Sequence, residues 1–318
     1  MPYEYAPLEG VTSALFRRAH WRWFGGVDRY YMPFLSPSQD HVFTRRELRE
    51  ILPEHNEGIP VVPQLLTRRA EDFNWAAGEL AAMGYEEINL NLGCPSGTVA
   101  AKGKGAGFLA FPEELDRFLE EIFSHAPCRI SVKTRLGVKE PEEFERLLGI
   151  YRKYPLSQLI VHPRVRTDMY RNRPRRQVMA KTLADSPFPV CYNGDIYTVD
   201  DLRGVEKEFP QLAGVMLGRG LVGDPALARR ARGGAPAGRE ELRGFVGEVY
   251  EGYSVAFGSR RNAMLRMKEI WFYLMGLFRD GEKLAKTIKK AREPMEYEQA
   301  VTQVFQTLEL RDALQADW

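Results

Sequence analysis

The sequence is poor in cysteine and has no long apolar run. Its three cysteines, Cys94, Cys128 and Cys191, are too few and too scattered for a disulfide framework, and none lies in a CxxC or Cys/His cluster with zinc spacing. No stretch approaches the ~20 apolar residues of a membrane span, and the start, MPYEYAPLEGV, lacks the order of a signal peptide. We therefore expect a cytoplasmic enzyme that binds neither metal nor membrane.

An excess of charge of one sign is also missing, since the net charge is +2. Local asymmetry is nevertheless strong. Residues 164–181 carry seven Lys/Arg against one Asp, and residues 260–293 carry ten against four acids. Such stretches suit phosphate binding, and interleaved aromatic residues suit base stacking: Tyr170, Trp271, Phe272 and Tyr273. The alternative is solvated helix faces over a core, which we expect for Trp271.

Short β-rich runs recur at intervals of roughly 25 to 35 residues, with helical patterns between them, as in parallel βα units. We predict eight strands, at 3–8, 29–35, 60–66, 87–92, 129–135, 158–162, 189–193 and 214–217. The helical patterns between them include 71–83, 112–124 and 142–154. The sequence therefore predicts a (β/α)8 TIM barrel at 1–231.

The composition changes after the barrel pattern. Residues 232–239, RGGAPAGR, are typical of a linker because glycine and proline both disfavour a helix. Beyond it only helical patterns follow, at 242–255, 262–277, 282–292 and 297–308. We expect a small all-helical domain at 240–318, which would bind RNA if its basic residues face outward.

Catalytic residues of such barrels lie at the carboxyl ends of the strands, and nearly every predicted strand ends in polar or glycine-rich residues. Taken singly, each such end is most simply a turn or an ion-pair partner. The ends of strands seven and eight, Asn193-Gly194-Asp195 and Gly218-Arg219-Gly220, fall where barrels commonly hold a phosphate on backbone N–H groups. A phosphorylated cofactor or substrate is the prediction.

Cys94 differs from the other cysteines in context. It follows a strand and precedes Pro95 and a glycine-rich segment, 96–107, which we expect to be a mobile loop outside the core. Lys102 and Lys104 in this segment could lower the pKa of the thiol or hold an anion. The structural alternative is a thiol packed at a strand end, which is the interpretation we favour for Cys128 and Cys191.

Seven segments in this order and spacing resemble the tRNA-dihydrouridine synthase family. They are APLEGVT near the start, Gln64, NLNLGCPS followed by GKGAG, SVKTRLG, VHPR with Tyr170 downstream, NGD, and GVMLGRG. In the tail, LRMKEIWFYL is similar to the carboxyl-terminal domain of that family. The resemblance implies reduction of uridines in tRNA to dihydrouridine by a monomer that uses FMN and NADPH.

The resemblance also implies roles for single residues. FMN would contact Ala6, Pro7, Leu8, Gln64, Lys133 and His162, with its phosphate at Asn193, Gly194, Asp195, Gly218 and Arg219. The uracil and the RNA would contact Asn91, Arg164, Tyr170 and Lys268. In the reaction, hydride goes to C6 and a proton goes to C5, and a thiol of pKa near ~8.5 is still protonated at neutral pH whereas a carboxylic acid is not. Cys94 is therefore the expected proton donor.

Two rival functions stay open. One is an FMN-dependent dehydrogenase of a free pyrimidine such as dihydroorotate, which would not need a basic tail. The other is an RNA-binding protein that has lost catalysis. The sequence also departs from the family at two places: Gly97 or Thr98 stands where a lysine is frequent, and VHPR has proline where glycine is commoner.

Overall fold

The computed structural model describes residues 1–316, and in this part of the chain one sheet of parallel strands runs in the order β3-β2-β1-β9-β8-β7-β6-β5-β4. The strands are β1 Tyr3–Tyr5, β2 Arg29–Tyr31, β3 Val61–Val62, β4 Gln64–Leu65, β5 Glu87–Leu92, β6 Arg129–Arg135, β7 Leu159–His162, β8 Val190–Asn193 and β9 Gly214–Leu217. Only Pro63, which has no N–H for the ladder, separates β3 from β4. These two strands are one run, so the sheet closes as the predicted eight-stranded TIM barrel.

Helices follow the strands. They are α1 Ala14–Trp23, α2 Arg45–Ile51, α3 Ala70–Ala82, α4 Gly97–Ala100, α5 Pro112–Ser124, α6 Glu143–Tyr151, α7 Gln177–Asp185, α8 Val199–Glu208, α9 Arg219–Gly223, α10 Leu227–Ala231, α11 Arg239–Phe257, α12 Arg260–Leu274, α13 Glu282–Lys290 and α14 Pro294–Thr307. Among the described residues, none of these helices is long and apolar enough to cross a membrane.

The agreement between predicted and observed elements differs along the chain. The strands at 87–92, 129–135 and 214–217 and the helix at 112–124 have the predicted bounds. The first two strands were predicted too long, since β1 ends at Tyr5 and β2 ends at Tyr31. Pro7 and Pro33 lie just beyond these ends, and proline cannot donate a ladder hydrogen bond.

The inside of the barrel is polar along β5. Asn89 and Asn91 alternate there with Ile88, Leu90 and Leu92, and all five are buried. The polar set faces the lumen, because Glu87 on the same face meets Arg29 of β2 at 3.3 Å across the barrel. Barrel interiors usually hold layers of branched apolar residues, so buried amides here indicate a function.

The chain divides into two compact units. The first holds the barrel sheet, in Met1–Pro7, Arg29–Gly194 and Glu206–Met216. The second collects Leu8–Asp28, Asp195–Val205 and the chain from Leu217 onward. Within it Trp271 is 2% exposed and donates to the Tyr297 hydroxyl at 3.1 Å, which confirms the expectation that this tryptophan is core. A domain boundary at 231–240 stays a prediction.

Candidate active site

Buried polar side chains gather at the carboxyl ends of the central strands in the barrel unit. Gln64 on β4, Asn91 on β5 and His162 on β7 are all buried, and Lys133 on β6 pairs in register with Asn91. The Gln64 carbonyl accepts a hydrogen bond from the Asn91 amide at 2.7 Å. Residues from four adjacent strands, β4 to β7, are brought to one end of the barrel, as the sequence predicted from their strand-end positions.

Cys94 is half-buried and lies on a tightly held turn just after β5. The side-chain carbonyl of Asn91 accepts from the backbone N–H of Gly93 at 3.0 Å and from that of Cys94 at 2.9 Å. The Cys94 carbonyl accepts from the N–H of Ala106 at 3.0 Å. A Cβ on Gly105, whose φ is +57°, would come within 2.9 Å of that carbonyl oxygen. The backbone of Cys94 is therefore held from both sides.

The expectation of a mobile loop at 96–107 is wrong for its second half. Gly103 and the run from Gly105 to Gly107 are buried, and the run begins a 3-10 helix over Gly105–Ala110. A Cβ on Gly107 would lie 2.6 Å from the Ala100 carbonyl oxygen. Gly105 and Gly107 do not indicate mobility in this segment. They permit close packing against the turn that carries Cys94.

Lys133 on β6 interacts electrostatically with Cys94. Burial, together with the nearby positive charge of Arg135, lowers the pKa of Lys133 to about 8, and the cysteines Cys94 and Cys191 oppose this shift. Of the lysines expected to act on the thiol, Lys104 instead donates to the Ser36 hydroxyl at 3.1 Å, and Lys102 is exposed. A cation of low pKa thus lies beside the thiol, but it comes from β6.

The histidine of VHPR has its protonation fixed by its neighbour. Arg164, 1% exposed, donates from Nη1 to Nε2 of His162 at 3.0 Å and from Nε to the Asn172 carbonyl at 2.5 Å. A guanidinium only donates, so Nε2 accepts and the ring carries its proton on Nδ1. Tyr170 is 52% exposed, and its ring lies 6.2 Å from that of His162 and 5.3 Å from the Arg135 guanidinium.

The residues predicted to hold a phosphate follow β8 and β9. In the barrel unit, the Asn193 amide donates to the Met216 carbonyl at 2.9 Å, which joins the two strand ends. In the second unit, Arg219 forms an ion pair with Asp195 at 2.9 Å and follows Gly218, which precedes the first turn of α9. Asp195 has a φ of +30°. Arg219 thus has an acidic partner, and the binding of a phosphate at these strand ends stays a prediction.

The other predicted contacts are spread along the chain. Ala6 is buried and Pro7 is half-buried at the end of β1. Leu8 lies in the second unit, where its N–H donates to the Thr12 hydroxyl at 2.8 Å. Lys268, on α12, donates to the Ala291 carbonyl, and burial lowers its pKa. Lys268 therefore has a structural partner at the end of α13.

The remaining cysteines have thiols that resist ionisation. Burial raises the pKa of Cys128, which is half-buried before β6, to about 11. Burial, with the Glu4 carboxylate next to it, raises the pKa of Cys191 well above its usual range, and this cysteine is core as expected. Within residues 1–316 no group of three His, Cys, Asp or Glu side chains could hold a metal ion.

Sequence reasoning missed two buried residues of the site, Asn89 and Ser131. Asn89 donates to the Ser131 hydroxyl at 2.9 Å and accepts from Gln64 at 2.7 Å. A signal was present in NLNLGC, where two asparagines alternate with leucines in an otherwise apolar strand. Unbonded amides are costly inside a barrel, so such an alternation predicts bonded partners on the neighbouring strands.

Comparisons with known proteins identify the family and the fold. A sequence profile of the family described as dihydrouridine synthase (Dus) matches residues 4–316. A tRNA-dihydrouridine(16) synthase of Ralstonia nicotianae is 33% identical over 235 residues, 72% of each chain. One of Cupriavidus necator is 33% identical over 245 residues, 74% of this chain and 76% of that one. Among solved structures, morphinone reductase aligns with a TM-score of 0.52 at 14% identity, covering 74% of this chain and 86% of that one, which supports the fold alone.

Proposed function

Because the chain belongs to the dihydrouridine synthase family, we propose that it reduces uridines of tRNA to 5,6-dihydrouridine. The observation that carries the proposal is the fixed turn that holds Cys94 beside Lys133 and two buried amides, at the end of the barrel where such folds carry chemistry. Two relatives are named for position 16 of tRNA, so that position is the first at which we expect the product.

The side chains at this end suit a flavin, and we propose FMN with NADPH as the reductant. The polar edge of an isoalloxazine presents ring nitrogens and carbonyl oxygens, which need donors. Lys133 supplies an ammonium and Gln64 supplies an amide, and with His162 they would hold that edge. Ala6, Pro7 and Leu8 would line the ring. When bound, the flavin supplies the hydride that no side chain can provide.

The flavin phosphate is assigned to the strand-end residues that follow β8 and β9: Asn193, Gly194, Asp195, Gly218 and Arg219. The Asn193 amide is tied to a backbone carbonyl, so it would shape the backbone rather than bind the phosphate. Arg219 is the cationic group of the set, and its pairing with Asp195 would hold the guanidinium in one orientation.

Cys94 is the proposed proton donor to C5 of the uracil. Its turn is held by backbone hydrogen bonds on both sides, which would keep the thiol at one distance from the reacting carbon. Lys133 would favour the negative charge that builds up during reduction, because its ammonium lies within a desolvated site. Asn91 would contact an edge of the pyrimidine.

The opposite wall of the pocket is assigned to Arg164 and Tyr170, with different roles. Tyr170 is exposed and would stack on the base that is turned out of the RNA. Arg164 is buried and bonded to His162, so it would act by holding the imidazole in its neutral form. This division of roles gives Tyr170 the larger effect on RNA binding.

We propose that the helical domain at 240–318 binds the tRNA backbone. A cavity of about 670 Å³ in the second unit is lined by Phe272 and by both basic and acidic side chains, including Lys268, Lys286, Lys289, Glu9, Glu269 and Glu282. Replacing the exposed Lys289 and Lys290 by glutamate should raise the KM for tRNA about tenfold and leave kcat unchanged, because phosphate contacts add affinity and not chemistry. Steady-state kinetics at fixed ionic strength measure this.

A matched control reverses two charges outside both basic stretches, in Arg152→Glu with Lys207→Glu. Both side chains are exposed in the barrel unit. If this variant raises the KM as much as the tail variant, the tail is not the RNA-binding surface. An unchanged KM in the tail variant would lead to the same conclusion.

The function itself is tested with tRNA from cells that lack the protein. The purified holoenzyme is incubated with this tRNA and NADPH, and dihydrouridine is then mapped by mass spectrometry. Dihydrouridine at one position supports the proposal. Turnover of dihydroorotate without RNA product would establish the rival dehydrogenase, and flavin-free protein that binds RNA would establish the inactive binding protein.

A further inference from the structure

We infer that Asn89 and Asn91 are positioning residues that hold Cys94 through a directional chain of buried amides. The inference rests on the proposed function for its catalytic meaning. Its geometry concerns the barrel unit alone. It assigns a role to Asn89 and Ser131, which lie below the mouth of the barrel.

The chain runs across three neighbouring strands. Gln64, Asn89 and Ser131 lie side by side in register on β4, β5 and β6, and each is 0% exposed. The Gln64 amide donates to the Asn89 carbonyl at 2.7 Å, and the Asn89 amide donates to the Ser131 hydroxyl at 2.9 Å. Asn91, one layer above, donates to the Gln64 carbonyl at 2.7 Å. We call these four residues the amide chain.

The direction of the amide chain is set at Cys94. The backbone N–H groups of Gly93 and Cys94 both point at the Asn91 side chain, so its oxygen must face them. Its NH2 group then faces Gln64, which must present its carbonyl and so turn its own NH2 group to Asn89. The same logic passes to Ser131, whose hydroxyl can accept. Reversing any one amide would place two donors or two acceptors face to face.

This direction decides what Asn91 offers to a pyrimidine. Its carbonyl oxygen already accepts two backbone N–H groups, so both lone pairs are used. One amide hydrogen goes to Gln64 and the second is the only polar group left. Asn91 therefore presents a donor, which fits a carbonyl oxygen of uracil and not its N3–H. Negative charge builds toward O4 during reduction, and a donor is the group that stabilises it.

Asn89 has no route to the substrate except through this chain. It is fully buried beside Gln64, and its amide oxygen and nitrogen each have a partner within the barrel. Replacing it by leucine keeps the volume but leaves the Gln64 amide without its acceptor. Gln64 and Asn91 then lose the constraint that orients them, and the turn of Cys94 loosens.

The first experiment compares Asn89→Leu with Asn56→Leu in the flavin-loaded enzyme. Asn56 is also a buried asparagine of the barrel unit and donates to the Glu50 carbonyl at 2.8 Å, outside the amide chain. We expect Asn89→Leu to lower kcat on the order of 100-fold with an unchanged KM for tRNA, as when a reacting group is misplaced. The rate of Cys94 alkylation by iodoacetamide, without RNA, should change about tenfold. Asn56→Leu should change neither.

A double-mutant cycle separates positioning from general damage. If Asn89 acts through Cys94, Asn89→Leu should have little further effect on the residual turnover of Cys94→Ala. Effects that multiply would show that Asn89 has a purely structural role and would overturn the inference. Wild-type alkylation in Asn89→Leu would overturn it as well.

A second pair serves if Asn89→Leu does not fold. Asn91→Asp keeps an oxygen that accepts both backbone N–H groups, and the remaining amides can rotate to donate to it. Asn91→Leu removes that acceptor. We expect Cys94 alkylation at its high-pH plateau to stay at the wild-type rate in Asn91→Asp and to change about tenfold in Asn91→Leu. Equal rates in the two variants would refute the positioning of Cys94. Because alkylation needs no RNA, this result stands apart from whether the wild-type enzyme makes dihydrouridine.

Discussion

The two ends of the barrel both contain buried polar side chains, but they are organised differently. At the amino end, Gln158 donates to Glu4 at 3.0 Å and accepts from Tyr31 at 3.0 Å, and Cys191 donates to Glu4 at 3.5 Å. All four of these side chains are buried. At the carboxyl end, the amide chain leads out of the barrel interior and finishes on the backbone of Cys94.

The two networks differ in where they end. The amino-end network stays inside the barrel, whereas the amide chain reaches the turn of the proposed catalytic residue. The amino end has a cavity of about 740 Å³ lined by Arg29 and Glu87, which are paired at 3.3 Å, and a second cavity of about 670 Å³ lies in the tail. Neither cavity is lined by the amide chain. The proposed place of the chemistry therefore rests on the hydrogen bonds that end at the backbone of Cys94.

The largest expected effect compares one cysteine from each end. Cys94→Ala should retain bound flavin and NADPH oxidation but lower dihydrouridine formation about 10³-fold, the contribution expected of a lost proton donor. Cys191→Ala should lower the melting temperature and keep turnover within about threefold, because it removes a packed thiol and no reacting group. Flavin absorbance, NADPH consumption and mass mapping of the product measure both variants.

The distinction between the two ends would be refuted if Cys191→Ala lost turnover and Cys94→Ala retained it. Full turnover of Cys94→Ala would remove Cys94 as the proton donor. Loss of NADPH oxidation in the same variant would mean that the side chain serves the flavin instead. Loss of turnover in Cys191→Ala at a wild-type melting temperature would place chemistry at the amino end.

The next effect concerns Lys133, the cation at the carboxyl end. Lys133→Met should lower kcat about 100-fold, as on removal of a group that stabilises developing charge. The wild-type kcat should also fall as the pH rises above about 8, since the pKa of Lys133 is lowered to about 8 and the ammonium is then lost. The pH dependence of kcat for both proteins measures this.

Lys133→Met should lack the fall of kcat above pH 8, which serves as the internal control. A bound anion would move the wild-type limb to higher pH, because it favours the ammonium. If kcat falls above pH 8 in both the wild type and Lys133→Met, a group other than Lys133 titrates. Arg29→Met, at the amino end, should leave the pH profile of kcat unchanged.

Much of the fold could be predicted from the sequence because short β-rich runs alternate with helical patterns. The bounds of β5 and β6 were found from such runs, and the strand-end rule then pointed to Gln64, Lys133 and His162. Where proline follows the apolar run, as at Pro7, the strand ends earlier than hydrophobicity suggests. Backbone hydrogen bonding, and not apolar content, sets that boundary.

The cation next to Cys94 could not be predicted, because it depends on register between strands. Lys102 and Lys104 are near Cys94 in sequence, whereas Lys133 is on the next strand and comes opposite Asn91 only through the pairing of β5 with β6. The pairing of Arg164 with His162 is local in sequence, yet its meaning depended on the burial of the guanidinium. Proximity in sequence therefore gave the wrong cation for Cys94. For Arg164 and His162 it gave the right neighbours but not the burial that determines their roles.

The smallest effect is expected at the amino end, from Glu4→Gln. Burial raises the pKa of Glu4 above its usual 4.5, so the folded protein binds a proton more tightly than the unfolded chain does. The free energy of unfolding should therefore fall as the pH rises from about 4.5 through the raised pKa, by about 1.4 kcal/mol for every unit between the two pKa values. Glu4→Gln should flatten this dependence and keep kcat within about twofold. Denaturant unfolding across that pH range measures it.

A steeper or unchanged pH dependence in Glu4→Gln would mean that Glu4 is ionised in the folded protein and is stabilised by Gln158 and Arg29 more than burial penalises it. The two ends of the barrel would then be alike in holding a charge. A loss of kcat at unchanged stability would have a stronger consequence, since the amino end would have to communicate with Cys94 along the lumen. The hydrogen bonds among Glu4, Gln158, Tyr31 and Cys191 stay within the barrel interior. Cys191 also interacts electrostatically with Lys133, so Lys133 is the residue through which such communication would pass.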